Sequence, residues 1–297
     1  MYWITKFKNL ITNIKIFVKY QFIKKNQFKF MSQEQMIDLI TEEKYSMCRF
    51  GDGELRWAFN IKNETFQKND PKMAKMLKEI LFSKENSNVI ICLYECMNNV
   101  NEYVRDGRLF WRKFMVIHKD NIIKQIPKER VYGAANITRP YIEYKNKDKS
   151  VIEKKFNLVK KIWNNREVII VEGKYTRLGV NNDLFDNCKS IERIICPPSD
   201  AFFLYDEICN EIRKIDKNKL IVLALGPTAT IIAYYLTLEG YQCVDIGHVD
   251  IEYIWYKKNC KKKEKIPGKY VFEAGGMSEE QMEIDDEYKS QILKEIK

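Results

Sequence analysis

The sequence predicts an α/β fold, doubly wound around a mostly parallel sheet, and three observations carry that expectation. Four compact apolar runs, EVIIVEG (167–173), IERIICP (191–197), LIVLALG (220–226) and CVDIG (243–247), read as near-continuous hydrophobic strands, the pattern of a parallel sheet covered on both faces. Helical periodicity over about 200–214 and 228–239 separates the last three, giving the strand–helix alternation of this class. Glycine and polar residues gather just after each run, where an open parallel sheet has its ligand crevice.

Residues 1–30 form a basic leader. They hold Lys6, Lys8, Lys15, Lys19, Lys24, Lys25 and Lys29 and no acid, so +7 of the chain's net +10 sits there. Trp3, Ile4, Phe7, Leu10, Ile11, Ile14, Phe17 and Val18 share one arc of a helical wheel with lysines on its flanks. Such an amphipathic helix suits an anionic membrane surface, and it also suits docking on its own domain or a second subunit with the lysines reaching outward. A nucleic-acid-binding domain carries its positive charge on the folded body; here the body carries little, so no nucleic-acid partner is expected.

From Ser32 the body begins. Ser32 followed by Gln35 is a capping box that opens a short helix to about Lys44. Pro71 suits the first turn of another helix. VIICLYE (89–95), FMVIH (114–118) and VYGAAN (131–136) are strand-like, and KNKDKSVIEKK (145–155) leads into a helix ending near Asn165. The tail from Met277, with Ser278 and Gln281, acids early and lysines late, reads as a separate capped helix. The expected division is therefore a leader (1–31), one domain (32–276) and a C-terminal helix (277–297).

With 45% hydrophobic and 31% charged residues, the chain has the composition of a globular protein with a sizeable core. No apolar run approaches the roughly 20 residues a membrane span needs. Cys48, Cys92, Cys96, Cys188, Cys196, Cys209, Cys243 and Cys260 form no C-x-x-C pair and several lie inside apolar runs. Buried reduced thiols point to a cytoplasmic location, peripheral at the inner membrane face if the leader binds lipid.

The residues after the strands carry the chemistry. Gly226-Pro227-Thr228, between a strand and a helix, suits an anion held on free N–H groups, and equally a plain strand–helix turn. Lys174 and Arg177 could add positive charge for a diphosphate. In His248-x-Asp250-x-Glu252 an extended backbone would aim all three side chains to one side, a donor set for Mn²⁺ or Mg²⁺. Arg49-Phe-Gly51-Asp52-Gly-Glu54 places a second Asp-x-Glu pair in a glycine-flanked loop, able to bind metal, hold a sugar or deprotonate an acceptor. Asn182 and Asp183 lie in the turn after the first run.

Taken together, RFGDGE, EGKYTRLGVNNDLF, IICPPSDAFFLYDEI, GPTAT and DIGHVDIEYIW resemble the GT-D glycosyltransferases, over roughly residues 32–257. The resemblance implies a Rossmann-like domain that binds a UDP-sugar and a divalent metal and extends a protein- or lipid-linked glycan in surface polysaccharide or glycoprotein assembly. On it, His248, Asp250 and Glu252 are expected at the metal. Asp52 and Glu54 are expected to be catalytic, and Arg49, Gly51, Lys174, Arg177, Asn182, Asp183, Gly226, Pro227 and Thr228 to bind substrate. The roles of the two Asp-x-Glu pairs are interchangeable on the sequence. Asn181 stands where the family pattern has glycine, and asparagine tolerates the left-handed region. The rival readings are a metal-dependent phosphoesterase or nuclease, and a non-catalytic membrane-associated nucleotide-binding protein.

Overall fold

The computed structural model describes residues 2–23, 27–62, 66–84, 88–278 and 286–297, with side chains described from Ile11 onward. In chain order the elements are α1 (Tyr2–Gln21), β1 (Lys29–Phe30), α2 (Gln33–Thr41), β2 (Ser46–Phe50), α3 (Asp52–Ala58), α4 (Pro71–Leu81), β3 (Val89–Leu93), α5 (Arg105–Ile117), β4 (Val131–Ala134), α6 (Lys149–Lys160), β5 (Glu167–Gly173) and β6 (Ser190–Cys196). Then come α7 (Tyr205–Ile212), β7 (Leu220–Ala224), α8 (Pro227–Leu238), β8 (Gln242–Asp245), α9 (Val249–Lys257), β9 (Tyr270–Val271), β10 (Gly276–Met277), α10 (Asp286–Ser290) and β11 (Ile292–Glu295).

Among the described residues nine strands form one sheet in the order β1-β4-β3-β2-β8-β7-β5-β6-β11, and every pairing in it is parallel. The expected doubly wound sheet is therefore present. Its middle is the driest part: Val168–Val171 of β5 and Leu220–Leu223 of β7 are all buried. Each such aliphatic side chain contributes roughly 1.5–3 kcal/mol by leaving water. Helix α8 is apolar almost all round and lies against β2 and β8, as a helix enclosed within the fold must be.

Helix starts follow their capping residues. Ser32 accepts from Gln35 N while Gln35 accepts from Ser32 N, and Asp70 accepts from Met73 N ahead of Pro71. These are the anticipated starts.

Three expectations are corrected. FMVIH (114–118) is not a strand; it closes α5, with Trp111, Phe114 and Met115 inward and Ile117 outward. A five-residue apolar run has no period of its own, and here the neighbouring i, i+3, i+4 spacing decides. Asp52 and Glu54 are not in a loop but in the first turn of α3. The tail is not a separate helix: α10 is one short turn, and β11 pairs in parallel with β6 to extend the sheet. The start of the anticipated tail helix (279–285) lies outside the described residues.

The leader is helical as anticipated, and the face it packs on the body is not the anticipated apolar arc. Ile16 and Tyr20 are buried, and Arg112 of α5 lies over the rings of Phe17 and Tyr20 at 5.3 and 5.4 Å. Ile11, Ile14, Phe17 and Val18, the anticipated apolar arc, face outward. The side chains of Trp3, Ile4, Lys6, Phe7, Lys8 and Leu10, and the residues Lys24 and Lys25, lie outside the described ones. No helix among the described residues is long and apolar enough to cross a membrane. The eight cysteines are unpaired, and seven of them are buried.

Candidate active site

The carboxyl ends of β2, β3, β4, β5, β6, β7 and β8 open into one cavity of about 810 Å³, the size of a small-molecule site. Its floor is the turn after β2. Gly51 precedes α3, and its N–H donates to Glu54 Oε2 at 2.9 Å, so the glutamate closes its own helix start. The Glu54 carboxyl is pushed up to about 7, chiefly by burial and further by the charges of Asp245 and Asp52, with Arg49 opposing. Burial also raises Asp52, and Arg56 at 3.6 Å and Arg139 offset it.

Behind this floor Arg49 is fixed from two sides. It donates to Thr138 Oγ1 at 2.5 Å and pairs with Asp245 at 3.2 Å, while Nε has no partner. Its guanidinium lies against Gly247, at φ +48°, where a Cβ would run into it. The chain can pass Arg49 there only as glycine. His248 follows, lining the cavity with a buried, partnerless Nδ1; burial holds its pKa below the usual value, against the pull of Glu273. Arg139 and Glu273 form an ion pair on the same wall. Burial pushes Glu273 up, but Arg139 and then His248 hold it well below the carboxylate range.

One side of the cavity is aromatic. Trp57, Tyr94, Phe110 and Trp111 line it, with the Tyr94 and Trp111 rings 5.0 Å apart. On another side the Phe66 ring covers Gly226, which sits at φ +56° with no room for a Cβ, and lies 5.8 Å from Phe272. Lys261, Lys262 and Lys263 stand at the margin, the last paired with Glu143 at 2.7 Å.

The structure thus brings Arg49, Gly51, Asp52, Glu54, Gly226 and His248 to one cavity. It does not bring the others there. After Gly247 the chain enters α9 rather than a strand, and residues two apart on a helix point about 200° from each other. Asp250 is buried and accepts from Gly179 N at 2.9 Å, Asn182 Nδ2 at 2.8 Å and Lys269 Nζ at 2.5 Å. Glu252 Oε2 accepts from Tyr141 N at 3.0 Å and Ile142 N at 2.9 Å. The His248, Asp250, Glu252 set does not converge, and among the described residues no three His, Cys, Asp or Glu side chains gather at metal-binding distance.

Lys174 pairs with Glu295 of β11 at 3.1 Å, and Arg177 donates to Gly268 O at 2.7 Å; neither lines the cavity. Asn182 is spent on Asp250. Asp183 meets Lys257 at 3.1 Å and Tyr253 Oη at 3.0 Å on another face. Pro227 and Thr228 are buried within the α8 turn. Asn181 takes φ +62°, the left-handed geometry anticipated for that position. Arg139, Glu273 and the aromatic wall had no motif to mark them; their only signal in the sequence is proximity to strand ends, at Tyr94 after β3 and Arg139 after β4.

The chain matches the family described as Glycosyltransferase GT-D fold over residues 47–274. It is 34% identical over 267 residues, 90% of its length, to a "Probable glycosyl transferase Gly" of Streptococcus gordonii. It is also 34% identical over 89% of its length to "Glycosyltransferase GlyD" of Streptococcus pneumoniae serotype 4. It spans only 39% and 32% of the lengths of those two relatives. A solved structure reported as "The highly conserved domain of unknown function 1792 has a distinct glycosyltransferase fold" superposes with a TM-score of 0.83 at 34% identity, over 91% of this chain and 96% of that one. A second, described as a new glycosyltransferase of the same domain from Streptococcus sanguinis, gives 0.83 at 34% identity, covering 91% of this chain and all of that one.

Proposed function

The chain belongs to the GT-D-fold glycosyltransferases, and from that premise we propose that it moves a hexose from a UDP-sugar to a glycan acceptor with the help of Mn²⁺ or Mg²⁺. The observation that carries this reading is the Asp52–Glu54 turn, set in a roomy cavity at the strand ends between an arginine-bearing wall and an aromatic one.

Of the two Asp-x-Glu pairs we assign the cation to the first, because Asp52 and Glu54, although two apart in the first turn of α3, both line the cavity, and Asp250 and Glu252 do not. Asp250 is taken up by Gly179, Asn182 and Lys269, and one oxygen of Glu252 by the N–H groups of Tyr141 and Ile142, whereas Asp52 and Glu54 face the cavity. Hard oxygen donors suit the ion, and the mutual crowding of Glu54, Asp52 and Asp245, which helps raise Glu54, is relieved by a cation. Such ions are often held by one or two carboxylates, with substrate phosphates and water completing the shell. When bound, the ion neutralises charge on the departing diphosphate.

The rest falls to the chain's own residues. Arg139 with the marginal Lys261 and Lys262 offers the diphosphate the positive charge first assigned to Lys174 and Arg177, and Arg49 backs the same wall. The Phe66–Phe272 side offers a ring face to the uracil, and Trp57, Tyr94 and Trp111 offer faces to sugar. The neutral imidazole of His248, which lines the cavity, takes the acceptor hydroxyl's proton. The acceptor oxygen bonds to the anomeric carbon as the bond from that carbon to the diphosphate oxygen breaks, and UDP leaves with the electron pair. Buried thiols favour a cytoplasmic setting.

The deciding experiment incubates the protein with a panel of nucleotide sugars and Mn²⁺ and measures UDP release with and without glycan acceptors. Acceptor-dependent release, abolished by chelator and restored by Mn²⁺, is expected. Release that ignores the acceptor would make the protein a hydrolase, and binding of UDP with no turnover of any donor would make it a scaffold.

A further inference from the structure

Helix α1 has two apolar faces, and only one is used inside the protein. Ile16 and Tyr20, four residues apart, turn inward, and Ile23 just beyond the helix is buried with them. Arg112 of α5 holds this side through the buried ring of Tyr20 and reaches the half-exposed ring of Phe17 where the two faces meet. The other face carries Ile14 at 54% exposure, Phe17 at 49%, Val18 at 51% and, just past the helix, Phe22 at 77%. Spacings of three and four residues stack these side chains into one outward stripe, too regular for the scattered exposed residues that any surface shows. Lys15 and Lys19 are exposed beside it, and the thirty-residue segment holds seven lysines and no acid.

We propose that this outward face of α1 docks the protein on an anionic lipid surface, the apolar stripe entering the acyl boundary and the lysines meeting the headgroups. Charge decides between occupants. A second copy of the chain would bring an identical stripe flanked by identical lysines, so like charges would face each other; an anionic bilayer offers both apolar depth and negative charge. The placement also bears on the site. Helix α5 is the element α1 grips, and Asp106, Gly107, Phe110 and Trp111 of the same helix line the cavity. The docked helix thus sets one cavity wall a single helix away from the lipid, which suits an acceptor carried on the membrane. That last clause rests on the transferase reading; the docking does not.

The test is co-sedimentation of the full chain with phosphatidylcholine vesicles, with and without roughly a third phosphatidylglycerol. Binding is expected to the anionic vesicles alone and to weaken steeply as salt rises towards about 1 M, where the screening length is ~3 Å. Ile14→Glu with Val18→Glu, both at exposed positions, should lower the bound fraction by an order of magnitude or more. Lys15→Gln with Lys19→Gln should weaken it on the order of tenfold. Unchanged melting of both variants shows that the fold survives. Absence of binding to anionic vesicles, or binding that folded Ile14→Glu/Val18→Glu protein retains in full, overturns the proposal. So does a lipid-free dimer, seen by light scattering, that the same variant dissolves. UDP release in solution, measured in parallel, keeps a failure of docking distinct from a failure of the transferase reading.

Discussion

Lys269 Nζ lies 2.5 Å from Asp250 Oδ2 with both side chains out of solvent, and this pair clasps three segments together. Asp250 sits on α9, its other oxygen holds the β5–β6 connection through Gly179 and Asn182, and Lys269 comes from the stretch before β9 while also donating to Arg177 O. A residue that the sequence offers as a metal ligand is therefore the hub of a buried structural network. Breaking one half of such a pair strands the other charge in a dry interior, at a cost of about 3–5 kcal/mol. Lys269→Met and Asp250→Asn are each expected to lower stability by that order in a denaturant titration, since each leaves one buried charge without its counter-ion. Neither should alter Mn²⁺ affinity in the folded fraction; a metal site lost in Asp250→Asn would return Asp250 to the cation.

Gly247→Ala tests how closely the site is packed around Arg49. The substitution forces a Cβ into the guanidinium and puts a side chain at φ +48°. The conformational part costs about 1–2 kcal/mol, and the displacement of Arg49 from Asp245 and Thr138 comes in addition. A loss of transfer at least tenfold beyond the loss of folded protein is expected. Equal losses would mean that Arg49 only holds the strands.

The carboxylates of α3 should separate metal binding from folding. Glu54→Gln keeps an oxygen for the Gly51 N–H and removes a charge that burial disfavours, so stability should hold or rise slightly. Transfer should fall on the order of a hundredfold or more, and the Mn²⁺ concentration for half activation should rise. Asp52→Asn should act the same way on metal dependence. Full activity of either variant at unchanged Mn²⁺ would remove the pair from the mechanism.

How much of this was legible in the residues depends on what each signal measures. The apolar runs 167–173 and 220–226 needed no tertiary knowledge, because a strand buried on both faces is apolar wherever it pairs. The Asp-x-Glu spacing was different. Two acids two apart share one side of a strand but not of a helix, so what decides is where each helix start lies: the first turn of α3 lines the cavity, while α9, entered past Gly247, carries Asp250 and Glu252 into the core. Likewise Lys174 and Arg177 follow a strand as a phosphate-binding pair would, yet β11, at the sheet edge beside β6, captures Lys174 through Glu295. The short tail run that forms that strand, Ile292–Glu295, carries no period. Arg139 and Glu273 lie 134 positions apart in the chain, and no local pattern could have joined them.

His248 predicts a pH dependence of the reaction itself. A neutral imidazole is needed to take the acceptor's proton, and burial lowers its pKa, so transfer should stay high through neutral pH and fall only in acid, below the ordinary histidine value of about 6.5. His248→Gln should lose that acidic limb together with 10²–10⁴-fold in rate, roughly the worth of a general base. An unchanged pH–rate profile in the variant would exclude His248 as the base.

Glu252 predicts a pH dependence of stability, opposite in sign to that of an ordinary salt-bridged carboxylate. Burial pushes it up to about 7, against Arg139 and the N–H groups of Ile142 and Tyr141. A carboxyl whose folded value lies above its unfolded one favours the folded state while protonated. Its contribution is complete below about 4.5 and is lost as pH rises through about 7. The shift corresponds to about 3 kcal/mol at most, and Glu54 adds a slope of the same sign. Melting temperature should therefore decline between pH 5 and pH 8. Glu252→Gln still accepts from both N–H groups but cannot ionise, so it should flatten part of that decline, and the double variant with Glu54→Gln more of it, the raised carboxyls of Asp52, Glu172 and Asp245 keeping the rest. A Glu252→Gln curve parallel to that of the parent would mean that the two backbone donors hold Glu252 ionised throughout, and that burial is the weaker influence at this position.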